Sequence, residues 1–311
     1  MNKFLKYSIR EPLPDERKIS YSQFSMYSTC PKHWELAYAK GLRTFSQSIH
    51  TIFGTAFHET LQNYLTVMFN ESVKKADEID INKYLKDQMF TLYKEAVDKM
   101  GNHFSNKFEL GEFYEDGVAI LDWFKKKRGQ YFSSRNEELI GIEVPIYHPV
   151  NETNDKVMML GYLDIVIRDK RNNKITIIDI KTSTMGWNKY QKADKTKTSQ
   201  LVLYKKYFAE QYGYDVENID VKYMIVKRKL IEGAMFPQKR ITDFMPASGK
   251  PTRNKLATEI KGFVDSAFHK DGTFNLDRKY PAIAGKNNKH CKWCEFRDKP
   301  DLCPRMDRIK V

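Results

Sequence analysis

Two aspartates and a lysine stand where they could hold a hard divalent cation and act on a phosphodiester. They are Asp164, Asp179 and Lys181, spaced D-x14-D-x-K within the stretch GYLDIVIRDKRNNKITIIDIKT at 161–182. Two β-branched runs, 161–168 and 174–182, flank the polar link 169–173, which is the signal of a hairpin. Residues i and i+2 of a strand share a face, so Asp179 and Lys181 point together while Ile178 and Ile180 point the other way. Asp164, on the preceding strand, can reach the same edge. Carboxylate oxygens suit magnesium or manganese. An ammonium beside them would orient a water or steady the charge of a pentacovalent phosphorus. The carbonyl of Ile180 is a further candidate ligand. Taken alone, the same residues also fit a solvated strand edge.

A second chemical grouping is the four cysteines, Cys30, Cys291, Cys294 and Cys303; the last three form C-x2-C-x8-C. In a chain whose first residues, MNKFLKYSIREPLPDERK, lack the apolar core of a secretion signal, clustered cysteines read as metal ligands rather than disulfides. Four thiolates can hold zinc or a [4Fe–4S] cluster, and either would tie the early part of the chain to the late part.

The elements that must position these residues follow from periodicity. Ser20 or Ser22 is a candidate N-cap for a helix ending near Thr29, before Cys30-Pro31, and a second helix spans 32–40. GTAFHETLQNYLTVMF at 54–69 is amphipathic, with Phe57, Leu61, Tyr64, Leu65 and Met68 on its apolar stripe. His58 sits beside that stripe, where a histidine is ordinarily a packed core residue. Further helices are expected at 81–100, 113–132, 200–212 and 255–269, and strands at 138–147 and 219–227. A lysine-rich loop at 183–199 and a loop-rich tail from 275 complete the reading. The resulting core of three strands, a helix and a strand, wrapped by helices, is an α/β arrangement.

The chain has 311 residues, 41% of them hydrophobic, enough to bury a core. No apolar run of about 18 residues appears, so no membrane span is expected. The formal net charge of +13 favours a polyanionic partner. The basic runs Lys125–Arg128 and Lys227–Lys229 are candidates to face phosphates, the first equally a solvated helix face. No phosphate-binding glycine loop of the GxxxxGK[ST] type is present, so a motor would have to come from another protein.

The spacing Asp164, Asp179, Ile180, Lys181 resembles the PD-(D/E)xK nuclease superfamily. Four more features, in order along 19–304, resemble its RecB-like iron–sulfur branch, as in CRISPR-associated RecB-like exonucleases and the AddAB nuclease domain. They are the serine- and tyrosine-bearing helix ending in Cys30-Pro31, Gly54-Thr-Ala-Phe-His58, Gln200-x-x-x-Tyr204, and Cys30 paired with the late cysteine triplet. The resemblance implies a restriction-endonuclease-like fold, with a mixed central sheet flanked by helices, a helical insertion and a cysteine-cluster tail. As domains it implies one nuclease domain over 1–311, with N-terminal helices at 19–69, the insertion at 70–135, the core at 138–269 and the cluster tail at 275–311. It implies that His58 joins Asp164 and Asp179 as a metal ligand, and that Gln200 and Tyr204 contact DNA and support Lys181. It implies that Cys30, Cys291, Cys294 and Cys303 hold a [4Fe–4S] cluster, with zinc as the alternative. The expected function is a magnesium- or manganese-dependent deoxyribonuclease. It would be an exonuclease on single-stranded DNA or duplex ends, acting in recombination, repair or phage DNA processing, cytoplasmic, and working with a helicase or other recombination protein. A structure-specific endonuclease and a non-catalytic zinc-stapled binding module are the rivals. Asp179 departs from the glutamate of many relatives, which shortens its reach but keeps its charge.

Overall fold

The computed structural model describes residues 8–151 and 154–310. In chain order the elements are β1 (Arg17–Ile19), α1 (Tyr21–Thr29), α2 (Pro31–Trp34) running into a π-helical turn (Glu35–Ala39), α3 (Ile49–Asn70), α4 (Val73–Asp77), α5 (Ile81–Met100), α6 (Lys107–Lys127), β2 (Glu137–Asn151), β3 (Asn154–Asp169), β4 (Ile175–Ser183), α7 (Lys189–Ala193), α8 (Lys195–Tyr212), β5 (Ile219–Lys227), β6 (Ile241–Phe244), α9 (Lys250–Ala267), β7 (Ala282–Ile283) and β8 (Arg308–Ile309). The protein is α/β, with a mixed central sheet flanked by helices, consistent with a restriction-endonuclease-like fold.

Two compact units divide the described chain. The first comprises Phe45–Val144 and Tyr162–Ser248. Here β3 is antiparallel to β4, β4 parallel to β5 and β5 antiparallel to β6. Parallel neighbours need a crossover, and α7 and α8 supply it. Ile165, Ile167, Ile178, Ile180, Met224 and Val226 pack on α3, α5 and α6 in one apolar cluster. Gly54 lets α3 approach β4, because a Cβ there would stand 3.2 Å from Thr182 Oγ1. On α8, Leu201, Tyr204 and Phe208 are buried, and Tyr223 of β5 bonds back to the carbonyl of Lys197 at 2.9 Å.

The second unit comprises Ile9–Thr44, Pro145–Gly161 and the chain from Gly249 onward. There β1 runs parallel to the first half of β3. Trp34 is fully buried, with ring centroids of Tyr27, Phe263, Phe268, Phe274 and Tyr280 at 5.3–5.8 Å. Ser20 caps α1 by accepting from Gln23 N, a contact of about 1 kcal/mol.

Several boundaries differ from the sequence expectation, each through a local cap. Ser48 accepts from Thr51 N and starts α3 at Ile49 rather than 54. Asn106 accepts from two amides and starts α6 at Lys107 rather than 113. Asp194 caps α8, so the expected loop at 183–199 contains α7 and the first turn of α8. The short edge strands β1 and β6 have no periodicity long enough to be read. α5 spans Ile81–Met100 as expected, between Asp80 and left-handed Gly101.

Candidate active site

The register of β3 with β4 places Ile165 opposite Ile178, which sets Asp164 and Asp179 one step further at the same end. Asp164 Oδ2 accepts from Ile180 N at 2.7 Å, an inter-strand bond that fixes the carboxylate. His58, on α3, brings Nδ1 to 3.5 Å from the same oxygen. Lys181 Nζ lies 2.8 Å from Asp179 Oδ2 as an ion pair and donates to Gln200 Oε1 at 3.2 Å. Gln200 Nε2 in turn donates to the Tyr204 hydroxyl at 3.3 Å. Every residue singled out in the sequence around this centre, from His58 to Tyr204, is therefore in one neighbourhood.

The electrostatics are those of buried acids short of cations. Burial and then the charge of Asp179 hold the Asp164 carboxyl well above the usual range, against the pull of Lys181. Burial raises Asp179 too, with Lys181 opposing. Burial works against the Lys181 ammonium, but Asp179 and Asp164 outweigh it and its pKa rises. Burial and the Lys181 charge push His58 down to about 4, so the imidazole is neutral near pH 7 and can ligate.

Apart from the Lys181 ion pair, buried Asp179 Oδ2 has no hydrogen-bond partner. Hard oxygens with excess negative charge and one neutral imidazole fit a divalent cation such as magnesium or manganese. Among the described residues, however, no three His, Cys, Asp or Glu side chains already form a metal-holding group. Here Lys181 and the Ile180 amide occupy the carboxylate oxygens.

The sequence reading missed three residues at this site. A cleft of about 590 Å³ is lined by His58, Ile180, Lys181 and Thr182, and also by Glu59, Gln62 and Glu143. Gln62 Nε2 donates to Glu143 Oε1 at 2.6 Å and to the Asp164 carbonyl at 3.2 Å. Glu143 sits inside β2 with φ of 49°, a left-handed backbone rare for a residue with a side chain. Its only signal in the sequence was an acid between Ile142 and Val144.

Part of the charge in the two basic runs is committed within the chain. Arg128 clamps Asp77 at 2.9 and 3.1 Å, and Lys125 donates to the Asp77 carbonyl. Arg228 and Lys229 share Glu112 and Asp116 at 2.6–3.1 Å. These cations bind acids of the same chain, so less of their charge is available to a phosphate backbone.

In the second unit, Cys30, Cys291, Cys294 and Cys303 all line one cavity of about 20 Å³. Cys30 ends α1 and precedes Pro31 at the start of α2; its Sγ accepts from Ile283 N at 3.3 Å. Turns carry the others: Cys291 N bonds to Asn288 O, Cys294 N to Cys291 O and Cys303 N to Lys299 O. All four are free thiols. Burial raises Cys30 and Cys294, and neighbouring cysteines raise them further. Four cysteines bordering one small cavity are the donor type that a [4Fe–4S] cluster or zinc uses, though among the described residues they do not form a ready metal-holding group.

The PD-(D/E)XK nuclease superfamily matches the chain over residues 18–303, and the protein belongs to it. Membership suggests a metal-dependent nuclease, and such nucleases generally use magnesium or manganese. No curated protein matches the chain. Among the described residues, no helix is long and apolar enough to cross a membrane.

Proposed function

We propose that the protein is a magnesium- or manganese-dependent deoxyribonuclease, an exonuclease that hydrolyses single-stranded DNA or duplex ends during recombination, repair or phage DNA processing. The observation that carries this reading is the meeting of Asp164, Asp179 and Lys181 beside His58, with Lys181 and His58 lining the adjoining cleft. Asp164, Asp179, His58 and the Ile180 carbonyl would hold the cation, which supplies Lewis-acid polarisation of the scissile phosphate and a more acidic attacking water. Lys181, positioned through Gln200 and Tyr204, orients that water and offsets the negative charge that grows on the phosphorus oxygens. The Asp164–Ile180 hydrogen bond keeps one carboxylate in place while the reaction proceeds. Gln62 holds Glu143 at the wall of the cleft. The four cysteines would bind a [4Fe–4S] cluster that ties α1 to the tail, and its role is structural.

The test is digestion of end-labelled and of circular DNA, single- and double-stranded, with magnesium or manganese. Mononucleotide release from labelled ends with intact circles is the expected result. Nicked or linearised circles would replace exonuclease by endonuclease, and no cleavage with either metal would remove the catalytic reading.

A further inference from the structure

The tail carries a groove of positive charge that the carboxylate–lysine centre does not use. A groove of about 580 Å³ is lined by Lys289, Lys292, Arg297, Arg305, Arg308 and Lys310, with Asn287, Asn288 and Cys291. Residues 286–310 carry eight Lys or Arg and four Asp or Glu, a net of +4 within the +13 of the whole chain. Among the described residues, the acid paired with the lining cations is Asp298, 3.5 Å from Arg305 and 3.9 Å from Arg297. Lys289, Lys292 and Lys310 have no ion-pair partner among the described residues. Arg308 is a fixed member of the wall. It donates to the carbonyls of Arg297 and Cys303 at 2.6 and 2.7 Å, and its buried Nε has no hydrogen-bond partner.

Next to Lys292 of the groove stands Trp293, 87% exposed, with Lys292 Nζ 5.1 Å from its ring centroid. An indole this open offers a flat ring face that a nucleic-acid base can stack on. A groove of cations with an open aromatic face beside it has the two parts of a single-strand binding site. The cations track the backbone, and the ring stacks on a base that duplex pairing would hide.

We infer that this groove is a second polynucleotide-binding site, which holds single-stranded DNA by its phosphates and by a base stacked on Trp293. The inference rests on the nuclease reading for its choice of polyanion. It assigns the tail a role in substrate binding that the carboxylate–lysine centre does not require. Cys291 and Arg308 also line the cysteine cavity, so the segment that carries the thiols carries the groove as well.

The test uses the full chain without added divalent metal, and fluorescence anisotropy of a labelled single-stranded oligonucleotide over a salt series. Removal of three phosphate contacts in Lys289→Ala/Lys292→Ala/Lys310→Ala should lower the slope of log affinity against log salt by about 2, with at least a tenfold loss of affinity. Trp293→Ala should lose about tenfold for the single strand and change duplex binding little. Because Trp293 is almost fully exposed, that variant keeps the inference testable if the triple variant folds poorly. Wild-type affinity and slope in both variants would overturn the inference. So would equal loss on single strand and duplex in Trp293→Ala, or groove-dependent binding of anionic lipid vesicles in place of the oligonucleotide. Magnesium-dependent cleavage by the parent protein is scored in parallel. If the parent cleaves and the variants bind normally, only the groove assignment fails; if the parent neither binds nor cleaves, the nuclease reading fails with it.

Discussion

Asp164, Asp179 and Lys181 ride on adjacent strands whose ladder sets their spacing, whereas Cys291, Cys294 and Cys303 hang on successive turns. Behind the first group lies a continuous apolar cluster of sheet and helices; behind the second lies a small one centred on Leu36, Ala37 and Phe296. The strand site is therefore held in place by the fold before anything binds. The turn site has too little core to hold four thiols rigid, and its burial raises Cys30 and Cys294, which disfavours the thiolates a metal needs. A metal bound at the turns would supply both the order and the deprotonation, so its loss should cost structure in the tail.

The sharpest way to break this contrast is Asp179→Ala. Cleavage should fall by about a thousandfold or more, with single-strand binding within a few-fold of wild type and an unchanged fold by circular dichroism. Retained cleavage in the same metal buffer would move the chemistry elsewhere. Lys181→Ala should lose about a hundredfold while metal affinity, measured by calorimetry, stays near wild type. A parallel fall in metal affinity would make the lysine a scaffold for Asp179 rather than a partner of the water.

Cys30→Ser tests the other side. Iron and sulfide near four each per chain are expected in protein purified without air, as a [4Fe–4S] site requires. The variant should lose the brown colour and melt about 5–10 °C lower, the shift of a few kcal/mol in a chain of this size. Colourless protein with about one zinc per chain would keep the tie but change the metal. An unchanged melting temperature would mean that the cysteines do not tie the unit.

The smallest effect concerns acid. Glu16 accepts from Arg10, Leu13 N and the Tyr147 hydroxyl, and its carboxyl is lowered from 4.5 to about 2, chiefly by Arg10. A depressed folded pKa contributes stability that is complete above the ordinary value of 4.5 and disappears as pH falls through about 2. Glu16→Gln should therefore melt a few degrees lower than wild type at pH 6, and the two curves should converge as pH approaches 2. A difference that persists unchanged at pH 2 would mean that the loss is packing rather than charge.

Much of the strand site was legible because its geometry is periodic and local. Alternation placed Asp179 and Lys181 on one face, a single turn placed Gln200 beside Tyr204, and the hairpin returned Asp164 to the same edge. The cysteine spacing likewise announced a common site. What the sequence could not announce was which charges remain free. Arg228 and Lys229 read as a basic patch until Glu112 and Asp116, more than a hundred residues away, were found to neutralise them. Glu143 read as one more strand residue until its left-handed backbone and Gln62 turned it into the cleft. Spacing along one element fixes which side chains share a face, since the backbone repeat is the same in every protein. Ion pairing and cleft walls depend on contacts between elements far apart in the chain, and only the tertiary structure decides those.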